Sequence, residues 1–192
     1  LLLGAADWVV FNEFGILNWL PEMPLWLYVL LGVLLMDFVG AYLPHFTEHK
    51  IRPLWMIHLV HHSDPKVDTT TANRHHPLES VVRYVFTLFG VFIIGAPIAI
   101  VMLYQSLSLV ATQFSHANIK LPKKLDYFLS FVLISPDMHK IHHHYQLPYT
   151  DANLRADSSL LPQVSQIGEG GIMDRIWGKP ALTIIGIDVP SV

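Results

Sequence analysis

The chain has 192 residues, enough for one domain, and 52% of them are hydrophobic while only 14% are charged. Soluble domains carry about 25% charged residues, so this balance and a mean hydropathy of +0.42 point to a bilayer. A net charge of −3 without a basic stripe argues against nucleic-acid binding, and the lack of cysteine excludes a disulfide framework, a thiolate zinc site and a cysteine-ligated iron–sulfur cluster.

The chain opens on Leu1 rather than methionine, which reads as a truncated or processed N-terminus. Residues 1–10 are apolar apart from Asp7. They lack a basic leader and a cleavage site, so they read as the end of a spanning helix and not as a signal peptide. Residues 25–43 form the clearest span, with Asp37 as their single charge and close to the roughly 20 residues a bilayer core requires. Pro24 suits the first helical turn, and Trp26 and Tyr28 suit the membrane interface. Asp37 is expected to face protein or water, in a packing role and not a catalytic one. Pro44 is expected to kink the helix that presents His45.

Residues 45–79 are polar and hold seven of the twelve histidines, so they belong in water or a polar vestibule. Residues 84–112 carry no charge. As one helix they would reach about 44 Å at 1.5 Å per residue, beyond a core of roughly 30 Å. Gly95-Ala96-Pro97 breaks them near the centre, which predicts a helical hairpin returning His116 to the side of His76. Residues 121–135 place Leu125, Phe128, Leu129 and Val132 on one face, as in an interfacial helix. Residues 157–171 read as a loop. The basic residues Lys50, Arg52, Lys66, Arg74, Lys120, Lys123, Lys124 and Lys140 flank the histidines, which places that face in the cytoplasm.

The histidines equal Lys and Arg together in number and all lie between His45 and His144. They fall as His45-x-x-x-His49, His58-x-x-His61-His62, His75-His76, Gln113-x-x-His116 and His139-x-x-His142-His143-His144. Residues three or four apart share a helical face. His45 with His49, His58 with His61 or His62, and His139 with His142 or His143 can each aim at one locus. Neutral imidazole binds zinc, copper, iron and nickel. Eight or more imidazoles exceed what one ion accepts, so two ions are the economical reading.

In sequence order, His45-x-x-x-His49, Trp55-x-x-His58-x-x-His61-His62-Ser63-Asp64, Arg74-x-His76-Pro77-Leu78-Glu79, Gln113-Phe114-x-His116-Ala117-Asn118 and Pro136-Asp137-Met138-His139-x-x-His142-His143 resemble the fatty acid hydroxylase/sterol desaturase superfamily. The resemblance covers residues 37–153. It implies an all-α integral membrane protein, one domain over residues 1–192, with a histidine-rich cytosolic face around two irons, in a bacterial inner membrane or the endoplasmic reticulum. It implies hydroxylation or desaturation of a sterol, fatty acid or related lipid with dioxygen, and electrons from a cytochrome b-type or ferredoxin-type carrier. A purified sample could carry zinc in place of iron. The ligands carried over are His45, His49, His58, His61, His62, His76, His116, His139, His142 and His143. His75 and His144 read as supporting or exposed. The chain departs from the family where Phe46 follows His45, where Asn153-Leu154-Arg155 replaces an Asn-aromatic-Gly turn, and where residues 173–178 only echo a Trp-Asp-Arg signature.

Beside the ligand positions stand Glu48, Asp64, Glu79, Asn118 and Asp137, candidates to orient the imidazoles through their second ring nitrogens, with solvated surface charge as the alternative for Glu48 and Asp64. Arg74 and Glu79 are placed to pair across a turn. Tyr42, one turn before His45, can line the site or pack in the core. Two other readings stay open: a membrane zinc hydrolase, although no H-E-x-x-H motif is present, and a non-enzymatic metal or haem protein, although bis-histidine haem needs one histidine from each of two helices.

Overall fold

The computed structural model describes residues 1–144, and these are all-helical with no strands. The loop expected over 157–171 and the departures at 153–155 and 173–178 lie outside the described residues. Helix α1 (Leu2–Phe11) and the one-turn α2 (Ile16–Trp19) lead into α3 (Leu25–Asp37), which opens after Pro24. A π-helical turn, Phe38–Tyr42, joins α3 to α4 (Leu43–Lys50), so Leu25–Lys50 is one continuous rod. At 1.5 Å per residue it is about 39 Å long. The apolar span expected over 25–43 therefore continues past the membrane core and carries His45 and His49 on its far end. Pro44 does not end the rod. It sits in the first turn of α4, directly after the wider π-helical turn, which accommodates a ring that an α-turn would push against the preceding carbonyls.

Helix α5 (Arg52–His62) starts with Pro53 in its first turn. A loop with a short 3₁₀ turn, Thr71–Asn73, leads to α6 (Pro77–Ile94) and α7 (Ile98–Ser115). The uncharged stretch is thus two helices, broken at Gly95-Ala96-Pro97 as the composition requires. Gly95 ends α6 at φ 74°, in the left-handed region, and Pro97 caps α7. A Cβ at Gly95 would collide with the Phe14 carbonyl oxygen, and one at Gly15 with the Gly95 backbone. Asn18 closes this junction by donating to the Gly95 carbonyl at 3.2 Å.

Helices α3, α6 and α1 form the core, with α7 packed on α3 and α1. Met36, Val91, Ile94, Val101 and Val9 are fully buried within it. Many other large apolar side chains are exposed, among them Trp26, Phe89, Leu109 and Val110. Three helices, Leu25–Lys50, Pro77–Ile94 and Ile98–Ser115, are long and apolar enough to cross a membrane, as in an integral membrane protein. Exposed apolar surface of that extent fits lipid rather than water.

The interfacial helix expected over 121–135 is shorter. Helix α8 covers Lys123–Leu129 and stops where the Ser130 hydroxyl donates to the Tyr127 carbonyl at 2.7 Å, offering the backbone a turn in place of another helical bond. Its apolar side chains Leu125 and Phe128, and Phe131 and Val132 beyond it, are nonetheless exposed. Helix α9 (Pro136–His142) closes the described chain, capped by the Ser135 hydroxyl.

Because α6 and α7 reverse at Gly95-Ala96-Pro97, the loop before α6 and the segment after α7 lie on one side. Single cysteines replacing Lys66 and Lys123, both exposed, are expected to react with a membrane-impermeant maleimide from the same side of sealed vesicles. Labelling of the two from opposite sides would refute the hairpin.

Candidate metal centre

The histidines converge into two adjoining groups. His45, His49, His58, His62 and His142 form one, and His61, His116, His139 and His143 form the other; the ligand atoms within each group lie within 4.8 Å of one another. Helical geometry dictates the sorting. His45 and His49 on α4, and His58 and His62 on α5, are pairs four apart and enter the first group; His139 and His143 at the end of α9 are also four apart and enter the second. The residues offset by one position cross over: His61 of α5 joins the second group and His142 of α9 the first. His116 caps the C-terminus of α7 and completes the second group. The groups touch where His62 stacks on His143 at 4.5 Å between ring centres.

The ring orientations are set from outside. His58 Nδ1 donates to Glu79 Oε1 at 2.9 Å, His61 Nδ1 to the Thr71 carbonyl at 3.1 Å and His116 Nδ1 to the Thr112 carbonyl at 2.8 Å. A carbonyl or carboxylate oxygen only accepts, so the proton sits on Nδ1 and the Nε2 lone pair of the neutral ring turns into the group. The Nε2 atoms then meet at short range: His61 to His116 at 3.2 Å, His116 to His139 at 2.7 Å, His139 to His143 at 2.9 Å, and His45 to His142 at 3.1 Å. Between His61 and His116, whose Nδ1 protons are both committed to carbonyls, two lone pairs face one another and repel unless a cation lies between them. Nitrogens held at about 2.1 Å from one ion sit roughly 3.0–3.4 Å apart for ligand angles of about 90–110°, close to these separations. In the first group, Nε2 of His58 and both ring nitrogens of His62 are buried without a hydrogen-bond partner. Buried polar atoms are otherwise almost always satisfied. The residues of both groups therefore fit metal ions.

Burial, and then the imidazoles of His142, His143, His58 and His49, hold the His62 ring well below the usual imidazole range. A neutral ring is the ligating form.

Of the residues expected beside the metals, Glu48 and Glu79 are fully buried at the first group. Glu79 Oε1 receives His58, His75 Nδ1 at 2.8 Å and Arg83 Nε at 3.2 Å. Arg83 also donates to Glu48 at 3.0 Å, and Glu48 lies 3.6 Å from His58 Nδ1. Asp64 acts one step away. It accepts from the Thr71 hydroxyl at 2.8 Å, and Thr71 holds His61. That hydroxyl, and then the Lys66 amide, keep the Asp64 carboxyl below its usual range. Asn118 is exposed and accepts from Lys140, and Asp137 is exposed in the first turn of α9.

One expected ion pair is corrected, and one expected ligand lies apart from the others. Arg74 pairs with Asp64 at 3.6 Å and not with Glu79, because Pro77 starts α6 and turns Glu79 into the buried first turn while Arg74 stays outside. His76 is not brought into either group. It caps α6, its Nδ1 accepting the Leu78 amide at 3.2 Å. His144 is also outside both groups, whereas His75 supports the second by stacking on His61 at 4.7 Å. Tyr42 stacks with Phe38 and lies in neither group. Arg83 and the carbonyls of Thr71 and Thr112 are partners that the motif reading missed. Arg83 carried a signal, an Arg four residues after Glu79 on a helix; backbone carbonyls leave none.

Fold and site together define an all-helical protein with membrane-length helices and two histidine groups able to hold metal ions. The fatty acid hydroxylase family model matches residues 29–160, and the chain belongs to that family, within the fatty acid hydroxylase/sterol desaturase superfamily. The family is one of oxidoreductases acting on lipids. No curated protein and no solved structure matches the chain significantly.

Glu79→Gln keeps the shape of the side chain but removes the charge that holds His58, so metal retention is expected to fall roughly 10–100-fold, measured by competition with a chelator. Retention equal to the parent would detach Glu79 from the site. In the metal-free protein, His62 is neutral when folded and binds a proton more readily when unfolded. Stability is therefore present above a pH of about 6.5, the unfolded imidazole value, and lost progressively as pH falls below it. Thermal midpoints of chelator-treated protein between pH 8 and pH 5 check this; a flat profile would contradict it.

Proposed function

We propose that the chain oxidises C–H bonds of a bilayer lipid with dioxygen at a pair of irons, one in each histidine group, yielding an alcohol or an alkene. The observation that carries this reading is the paired, nitrogen-rich site beside membrane-length helices in a chain of this family. Neutral imidazole suits iron, and an all-histidine set without cysteine suits a redox ion that must keep positions open to a small molecule. When bound, the ions supply one-electron redox chemistry and activation of dioxygen.

The chain's own residues do the rest. His45, His58, His61, His116, His139 and His142 are fully buried, so water is kept from the reacting centre. Glu79, Thr71 and Thr112 hold the donating faces of three rings toward it. Lipid reaches the site from the bilayer along the exposed apolar faces of α3, α6 and α7. Hydroxylation places one oxygen atom in the C–H bond and converts the other to water, which consumes two electrons and two protons; desaturation removes two hydrogens instead. A cytochrome b-type or ferredoxin-type protein supplies the electrons. The basic residues flanking the histidine segments support a cytoplasmic position for this face.

The test uses purified, iron-supplemented protein in lipid nanodiscs with a reductase system. About two irons per chain and no Soret band are expected. His142→Ala strips the first group and His61→Ala the second; each is expected to abolish lipid oxidation, read by mass spectrometry, while the protein stays membrane-inserted. Zinc alone after iron supplementation would favour a hydrolase. Full oxidation by either variant with iron content unchanged would overturn the assignment.

A further inference from the structure

Between α6 and α7, at the histidine end of the hairpin, lies a cleft of about 300 Å³. Gly40 of the π-helical turn forms part of its wall, where a Cβ would come within 2.8 Å of the Tyr104 hydroxyl. Its α7 wall runs from Tyr104 to Gln113 through Gln105, Ser108, Leu109 and Thr112. Those positions recur at three and four residues, so a polar stripe faces the cleft along about 13 Å of helix. Helix α7 is otherwise apolar and of membrane length. Polar groups at that depth are costly when they face hydrocarbon and recur where a ligand path or cavity receives them.

The cleft is distinct from the metal centre, since no histidine of either group lines it. It abuts the second group through two lining residues that support ligands. Thr112 holds His116 through its carbonyl, and His75 stacks on His61. A group seated here lies one imidazole ring away from the second set of nitrogens.

The polar inventory selects the ligand. Arg83, the lining guanidinium, is already bonded to Glu48 at 3.0 Å and Glu79 at 3.2 Å, both fully buried. A lipid carboxylate entering the cleft would stand beside two buried negative charges, or would have to draw Arg83 away from them. His75 is held by Glu79 and the Ala72 carbonyl, and the Thr87 hydroxyl donates to the Arg83 carbonyl. The Ser108 hydroxyl is engaged by the Tyr104 hydroxyl, so the carboxamides of Gln105 and Gln113 remain to present hydrogen bonds to a ligand. Carboxamides both donate and accept, which matches an alcohol or an amide. The volume is at the small end for ligand sites, enough for a polar head and its first few carbons, with the tail left in the bilayer.

We propose that this cleft binds a membrane lipid through a neutral hydroxyl or amide group, in preference to a fatty acid in its carboxylate form. Taking that lipid as the substrate rests on the oxidase reading above; the binding does not.

The experiment photolabels the iron-loaded protein in phosphatidylcholine nanodiscs with hexadecanol bearing a diazirine next to the hydroxyl carbon. Adducts are expected in the α7 peptide containing Gln105 and Gln113, saturating with dose. Unlabelled hexadecanol and hexadecanamide should compete, and hexadecanoate at pH 8 should compete at least tenfold less well. Gln105→Leu with Gln113→Leu is expected to weaken labelling about tenfold, as two lost hydrogen bonds would, at unchanged metal content; Gln105→Leu alone, at an exposed position, should weaken it about threefold, the effect of half that free energy. Hexadecanoate competing as well as the alcohol would overturn the proposal in favour of an anion site. Non-saturable labelling, or labelling indifferent to both variants, would overturn it outright. Saturable labelling by a protein that oxidises no lipid would break the oxidase reading and leave the cleft standing; lipid oxidation without saturable labelling would do the reverse.

Discussion

Nitrogen lone pairs forced to face one another govern this structure. Each ring that donates Nδ1–H outward has committed its Nε2 inward, and His61 and His116 bring two such atoms to 3.2 Å. Assembled without a cation, that arrangement buries polar atoms against their own kind, which protein interiors avoid. With metal ions bound, the same atoms become ligands. The rest of the fold follows from delivering rings to that point: a rod long enough to leave the membrane before His45, a hairpin that brings His116 back, and short helices α5 and α9 that each serve both groups.

Sharing of helices between the groups has an energetic consequence. His61 and His62 are consecutive, as are His142 and His143, and consecutive residues on a helix diverge by about 100°. Each dipeptide therefore straddles the boundary between the groups. A shift of α5 or α9 that loosens one group loosens the other. The centre behaves as one cooperative unit, in which the position of either helix is over-determined by two sets of ligands.

Much of this was legible in the sequence because it rests on periodicity. Spacings of three and four anticipated which imidazoles converge, an uncharged stretch too long for one crossing required a break, and Gly95-Ala96-Pro97 supplied it. What escaped was governed by contacts that carry no period. His76 precedes a proline that starts a helix, and capping claims it although its motif resembles a ligand's. Arg74 and Glu79 are five apart in sequence but on opposite sides of a helix start, so the buried first turn takes Glu79 and the surface keeps Arg74. The partners of His61 and His116 are main-chain oxygens of Thr71 and Thr112, and any residue type could have supplied them. The length of α8 turned on one serine hydroxyl capturing a carbonyl.

Glu79 shows how such unpatterned contacts shape chemistry. One carboxylate oxygen takes His58 from the first group, His75 and Arg83, and His75 in turn stacks on His61 of the second group. A carboxylate behind an imidazole increases the electron density that the ring offers to a metal, and a guanidinium on the same oxygen withdraws part of it. Arg83 thus does two things at once. It offsets the charge of two carboxylates that could not otherwise be buried, and it limits how strongly they polarise His58. Because His75 carries the same hub to His61, both groups are set against one charge balance. Metal ions bound there would experience matched rather than independent surroundings.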